Sequence, residues 1–347
     1  MTAQSPADGH TPAALSTFPL GGTSVQVTKL SFGGAAIGNL YTAIDDATAH
    51  GAVEAAWQAG IRTFDTAPHY GIGLSERRLG NALRKHPRDS YTLSTKVGRI
   101  LEPVPRSAGD LGDDLAAGGF AVPATHLRRW DFSADGVTRS LAESLDRLGL
   151  DRVDIVYLHD PDYHAEQALR EAYPALEKLR AQGVVGAIGV GMNQSALPAR
   201  FVRETDIDVV LLAGRYTLLD QSGLDELLPA AHDRGVSVVV GGVFNSGVLA
   251  DPRPDATFDY NAVPPQVLSR ALQIQELCAK HHVPLRAAAI QFPYGHPTVS
   301  SVLIGARTAA ELYDAVTCAH QPIPDLLWEE LHAAGLLPEH VPVPSGK

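Results

Sequence analysis

Four polar residues stand where proton-transfer chemistry would need them. Asp65 and Tyr70 lie in I-R-T-F-D-T-A-P-H-Y-G-I-G-L-S-E (61–76), in which a short β-type run gives way to a glycine-punctuated turn. Lys96, in S-T-K-V-G-R, and His159, in V-Y-L-H-D-P-D, each stand at the carboxyl end of an expected strand. A tyrosine has an ordinary pKa of about 10, so it works as an acid or base near neutrality only if a neighbouring cation stabilises its phenolate. Lys96 is the candidate cation, and Asp65 is the carboxylate to hold it. Taken singly, each residue has a plainer role. A lysine after a strand is ordinarily solvated, a histidine there is often hydrogen-bonded, and Asp65-Thr66 suits a turn cap. Four such residues at strand ends argue for a shared mouth, because barrel active sites gather there.

The elements that must position them are legible as apolar, β-branched runs. Strands are expected near 30–32, 63–65, 92–96, 153–158, 185–190, 208–212, 237–241 and 300–304,. Helical spacing follows at 46–59, 76–84, 137–149, 166–181, 197–204, 223–235, 265–281 and 309–319,. Runs such as V-S-V-V-V suit strands buried on both faces of a parallel sheet,. Eight strand–helix units in 347 residues give α/β class and a (β/α)8 TIM barrel, somewhat longer than the ~250 residues typical of that fold,. Residues 18–33 read as an N-terminal β-hairpin leading into the first strand,. Two long loops, 99–132 after the third strand and 250–263 after the seventh, are expected on the active face,. Residues 1–16 read as a flexible tail and 17–347 as a single barrel domain.

Net charge of −11 argues against nucleic acid as a partner, since phosphate-backbone binding needs a basic face,. A small molecule, a sugar or an aldehyde, is the expected partner. The two cysteines, Cys278 and Cys318, build neither a disulfide framework nor a cysteine-rich zinc site, which suits a reducing cytoplasm,. No run approaches the roughly 18 apolar residues of a membrane span, and the first residues show no secretory pattern,. A metal-dependent barrel hydrolase using Asp65, His69, His159 and Asp160 would want an H-x-H on the first strand, which is missing,. Oligomeric state is not legible.

The segments F-D-T-A-P-H-Y-G-I-G-L-S-E-R-R-L-G, S-T-K-V-G-R, D-I-V-Y-L-H-D-P-D and V-L-I-G-A-R-T-A-A-E-L together resemble an aldo-keto reductase from about residue 18 to 316. The resemblance implies a catalytic tetrad of Asp65, Tyr70, Lys96 and His159, with a nicotinamide cofactor across the barrel mouth. By the same resemblance Gly34 lies at the cofactor and Asn193 holds the nicotinamide carboxamide. The stretch F-N-S-G-V-L, with Phe244, Asn245, Gly247 and Leu249, covers the pyrophosphate. Gly305, Arg307 and Glu311 meet the adenosine end. Glu311 would repel a 2′-phosphate or accept from a ribose hydroxyl, which favours NAD with NADP possible. His69, Trp130 and His159 are the candidate substrate contacts. G-I-G-L-S-E is no dinucleotide fingerprint, since Glu76 replaces the last glycine,. Ala213 and Gly241 or Gly242 stand where many family members carry a glutamine and a stacking aromatic, so another group must hold the ring.

Further segments, D-F-S-A-D-G-V, G-V-G-M-N-Q, L-L-A-G-R-Y-T-L-L-D and G-G-V-F-N-S-G-V-L-A, resemble the family branch that oxidises aldoses at C1 and its pyridoxal-oxidising neighbours. The implied reaction takes a cyclic aldose of the L-fucose, D-arabinose or L-galactose type to its lactone. Tyr70, made more acidic by Lys96 and Asp65, is the general acid/base. The alternatives are pyridoxal oxidation to its lactone and a cofactor-binding regulatory subunit without multiple turnover.

Overall fold

The computed structural model describes residues 15–105 and 112–345. The tail expected over 1–16 therefore lies outside the described residues except for Leu15 and Ser16. Eight parallel strands close into a barrel: β1 (Leu30–Gly33), β2 (Thr63–Asp65), β3 (Thr92–Val97), β4 (Ile155–His159), β5 (Ala187–Met192), β6 (Val209–Ala213), β7 (Ser237–Gly241) and β8 (Val299–Gly305). Closure is made by β8 on β1, with Gly305 opposite Gly33. Each expected strand is present within a few residues; the Val and Leu runs of β6 and β7 suit a surface buried on both faces,.

Side-chain alternation assigns the two faces. In β4, Val156 and Leu158 join the large cluster between strands and helices, whereas Ile155 and Tyr157 pack inside the barrel with Leu211 and Val239. His159 continues the inward set at the carboxyl end,. In β2, Phe64 faces the helices and tilts against Phe32 at 6.1 Å, which sends Asp65 inward. The hairpin of Thr17–Pro19 and Gln26–Thr28 adds the fully buried Leu20 and Val27 to the inner cluster, at the end of the barrel opposite the mouth.

The helical layer is built from α1 (Asp46–Gln58), α2 (Leu74–Leu83), α3 (Ala134–Leu148), α4 (Tyr173–Ala181), α5 (Ala196–Glu204), α6 (Leu227–Arg234), α7 (Pro265–Lys280), α8 (Leu285–Gln291), α9 (Ala309–His320) and α10 (Asp325–Ala333). Their starts follow local chemistry. Asp45 caps α1 by accepting from the Thr48 amide, Ser133 caps α3 by accepting from the Gly136 amide, and Thr308 caps α9 by accepting from the Glu311 amide,. Helices α8 and α10 were not expected from the sequence. The C-terminal end packs on the barrel, with Val341 buried and the Leu336 carbonyl accepting from Arg270. Cys278 and Cys318 are buried and unpaired with each other.

The described parts of the long segment after β3 form paired strands, which its Gly, Pro and Asp content does not suggest. Arg99–Pro103 pairs antiparallel with His126–Trp130, and Asp113–Asp114 with Phe120–Pro123. The segment after β7 forms a small hairpin, Thr257–Phe258 against Asn261–Ala262, turning through Asp259 and Tyr260. No helix among the described residues is long and apolar enough to cross a membrane.

Candidate active site

Neighbouring strands bring Asp65 and Lys96 together inside the barrel. Lys96 Nζ donates to Asp65 Oδ2 at 2.5 Å and to the Thr66 carbonyl at 3.0 Å. Ser94, two residues before Lys96 on the same strand face, donates to Asp65 Oδ1 at 2.7 Å. Both charged groups are almost fully buried, Asp65 at 2% exposure and Lys96 at 1%, so each depends on the other for its charge,. Burial works against the Lys96 ammonium, but the Asp65 carboxylate and the Tyr70 phenol more than offset it and its pKa is raised,.

Tyr70 reaches the pair from the turn after β2. Lys96 Nζ lies 4.6 Å from the centre of the Tyr70 ring. The turn requires its glycines: Gly71 has φ of 61°, and a Cβ there would sit 2.2 Å from the Gly38 carbonyl oxygen,. Gly71 and Gly73 thus shape the backbone beside Tyr70. Burial pushes the Tyr70 phenol up to about 12; Lys96 opposes the rise, and the Asp65 charge adds to it. The expectation that Lys96 and Asp65 both acidify Tyr70 is corrected in that respect. Asp65 can favour the phenolate only through Lys96, because its own negative charge repels the one forming on Tyr70.

His159 closes the group, with its ring 6.0 Å from Tyr70 and 5.7 Å from His69. Burial and the Arg99 and Lys96 cations hold the His159 imidazolium well below its usual range, so the ring is neutral near pH 7. His69 is pushed down to about 2 by burial, with Arg99 and Arg128 adding to the shift. Phe120 packs 5.2 Å from His69 and 6.0 Å from Tyr70. The Nδ1 atoms of His69 and His159 are buried without a protein partner.

Two arginines from the segment after β3 fasten it to this mouth. Arg128 binds both oxygens of Asp114 and donates to the His69 carbonyl. Arg99 pairs with Asp160, the residue after His159, and its guanidinium lies 4.3 Å from the centre of the Trp130 ring. Trp130 therefore reaches the site through Arg99. Sequence reasoning missed the Arg99–Asp160 pair; the signal was present in the two motifs, but the pairing joins residues on separate loops.

The candidate cofactor residues scatter around the rim. Asn193 Nδ2 donates to Tyr260 Oη at 3.5 Å, which ties the end of β5 to the hairpin after β7. Asn245 has its side chain turned inward, accepting from Thr217 and donating to the Gly214 carbonyl, and Leu249 is fully buried. For these two, only backbone atoms are left for a ligand. Phe244 packs on the core from one side and Gly247 has φ of 118°. Gly34 is wedged between strands, its amide donating to the Asp65 carbonyl; a Cβ there would lie 2.5 Å from Ser75 Oγ. At the start of α9, Arg307 and Glu311 bind each other at 2.7 Å beside Gly305.

A nicotinamide cofactor fits this rim. Gly241 and Gly242 place no side chain at the carboxyl end of β7, where a Cβ at Gly241 would make ordinary van der Waals contact with Leu211, Leu303 and Ala213 at 3.7–4.0 Å. Residues 29–335 match the Aldo/keto reductase family. The chain belongs to that family. This aldo-keto reductase is an oxidoreductase that works with a nicotinamide cofactor. It is 47% identical to a D-threo-aldose 1-dehydrogenase of a Pseudomonas species, over 90% of this chain and 96% of that one. It is 39% identical to a pyridoxal 4-dehydrogenase of Microbacterium luteolum, over 92% and 97%. In fold it resembles a glycerol dehydrogenase of Gluconobacter oxydans, with a TM-score of 0.73, 22% identity, and 95% and 97% of the two chains covered.

Proposed function

We propose that this aldo-keto reductase oxidises the cyclic form of an aldose at C1 to the aldonolactone, with NAD as the preferred cofactor. The observation that carries the reading is the buried Lys96–Asp65 pair lying beneath the Tyr70 ring, with a neutral His159 opposite. When bound, the nicotinamide supplies the hydride acceptor. Tyr70 takes the proton of the anomeric hydroxyl, and Lys96 stabilises the phenolate as it forms. Asp65 keeps Lys96 protonated and aimed. The neutral imidazole of His159 orients the substrate oxygen by hydrogen bonding without competing for the proton. In the reducing direction Tyr70 gives the proton back.

Asn193, the backbone of the 244–249 loop and the Gly305–Glu311 turn are the groups that would hold the cofactor. Arg307 is already engaged by Glu311, which disfavours a second negative charge from a 2′-phosphate and supports NAD,. The identity to the D-threo-aldose 1-dehydrogenase supports an aldose as substrate. The aromatic wall of Phe120 beside Tyr70 also suits a flat ring, and pyridoxal is the second reading. A panel of L-fucose, D-arabinose, L-galactose and pyridoxal with NAD and NADP, followed at the nicotinamide absorbance, tests both. Fastest turnover of an aldose with NAD supports the proposal. Turnover confined to pyridoxal overturns it.

A further inference from the structure

The three cations whose fields reach His69 and His159 are Lys96, Arg99 and Arg128. Each is matched by its own carboxylate: Asp65, Asp160 and Asp114 respectively. The Lys96 pair is sealed, and Arg128 is committed to Asp114 in a two-pronged bond. The Arg99–Asp160 pair differs. The Asp160 side chain keeps 22% of its exposure against 2% for Asp114, and Arg99 reaches it through one nitrogen where Arg128 uses two. Asp160 sits in the left-handed region, with φ of 44°, a conformation a non-glycine residue holds only at a cost,. Its Oδ2 lies 3.6 Å from His159 Nε2. Stacking on Trp130 fixes the guanidinium from the other side,.

We infer that Arg99 and Asp160 form a recognition pair for the hydroxyl next to the reacting carbon of an uncharged polyhydroxylated substrate, and thereby determine specificity. The inference rests on the aldose reading. A hydroxyl both donates and accepts, so it inserts at an ion pair by giving its proton to the carboxylate and taking one from the guanidinium. With O1 of the sugar at Tyr70 and His159, the Asp160 carboxylate, 3.6 Å from His159 Nε2, is the polar group beside it that a neighbouring hydroxyl would meet. A phosphorylated sugar or sugar acid would have to draw a cation away from its buried or half-buried carboxylate, which is costly in a poorly solvated mouth. A neutral sugar leaves all three pairs intact.

The test crosses the residue with the substrate. The best aldose of the panel and its 2-deoxy analogue are compared as kcat/KM in the parent enzyme, in Asp160→Asn and in Arg99→Lys, with nucleotide binding measured by fluorescence to show that each variant is folded. In the parent, loss of the hydroxyl lowers kcat/KM about tenfold or more, chiefly through KM, as expected for a hydrogen bond to a charged group. In both variants that penalty shrinks to about threefold or less. The aldose carrying a phosphate remote from C1 competes at least about tenfold more weakly than the free sugar. An undiminished 2-deoxy penalty in both variants, or tight competition by the phosphorylated sugar, overturns the pair's role while leaving the aldose reading in place. A parent enzyme that oxidises no aldose with either nucleotide removes both.

Discussion

Lys96 donates to Asp65 at 2.5 Å across adjacent strands, and the two residues expose only 1% and 2% of their surface. A charge so placed has no water to fall back on. The pair is therefore both a structural commitment of the barrel and the means by which Tyr70 is held beside a cation.

The first prediction concerns that commitment. Asp65→Asn leaves the Lys96 ammonium buried without a counter-charge, a change that typically costs 3–5 kcal/mol in about this setting. Denaturant unfolding should show a loss of about that size, and the alkaline limb of the oxidation rate should move because Lys96 no longer stays protonated. A stability equal to that of the parent would remove Asp65 from this role.

A second prediction follows from the protonation of Tyr70. With its phenol pushed up to about 12 in the unliganded protein, Tyr70 is protonated throughout the neutral range. Oxidation needs it deprotonated, so log kcat for aldose oxidation should climb with pH between about 7 and 10. Reduction needs it protonated and should be flat over the same range. Lys96→Met should push the rising limb to still higher pH, as a pH–rate profile of both proteins would reveal.

The histidines set the acid side of stability. His69 and His159 both have pKa values below the ordinary 6.5 in the folded chain, so between those values and 6.5 the unfolded chain binds more protons,. Stability therefore rises with pH in that window and falls as pH drops below about 6.5, by up to about 1.4 kcal/mol per pH unit for each histidine. Melting temperatures between pH 7 and 4.5 measure this slope. His69→Asn should flatten it.

The Arg307–Glu311 pair gives a fourth. Glu311→Gln frees the guanidinium and removes a negative charge beside the site proposed for the adenosine end. The ratio of kcat/KM with NADP to that with NAD should rise by about tenfold. An unchanged ratio would place cofactor choice elsewhere.

Much of this was legible in the chain because most barrel strands are rich in apolar and β-branched residues, with Asp65, Lys96 and His159 at or next to their carboxyl ends and Tyr70 in the turn that follows β2. Asp65, Lys96 and His159 are inward positions that any correct strand register delivers to one mouth. The hairpin joining Arg99–Pro103 to His126–Trp130 was not legible, since R-I-L-E-P and H-L-R-R-W mix charged and apolar residues on both faces. The short helix at Leu285–Gln291, directly after Pro284, was missed for want of length. Contacts such as Arg99 with Asp160 and Asn193 with Tyr260 join residues far apart in sequence, and they depend on how loops fold back. Motif spacing carries no record of that. The raised phenol of Tyr70 was likewise hidden, because burial outweighs the lysine and cannot be read from residue order.

The central claim is that Tyr70 carries the proton, and Tyr70→Phe tests it most directly because it removes one oxygen and little volume. Single-turnover oxidation of the best aldose by the nucleotide-loaded variant should be slower by about 10²–10⁴-fold, the usual share of general acid–base catalysis, with nucleotide affinity unchanged. Near-parental turnover in Tyr70→Phe, with the nucleotide still bound, would contradict the account.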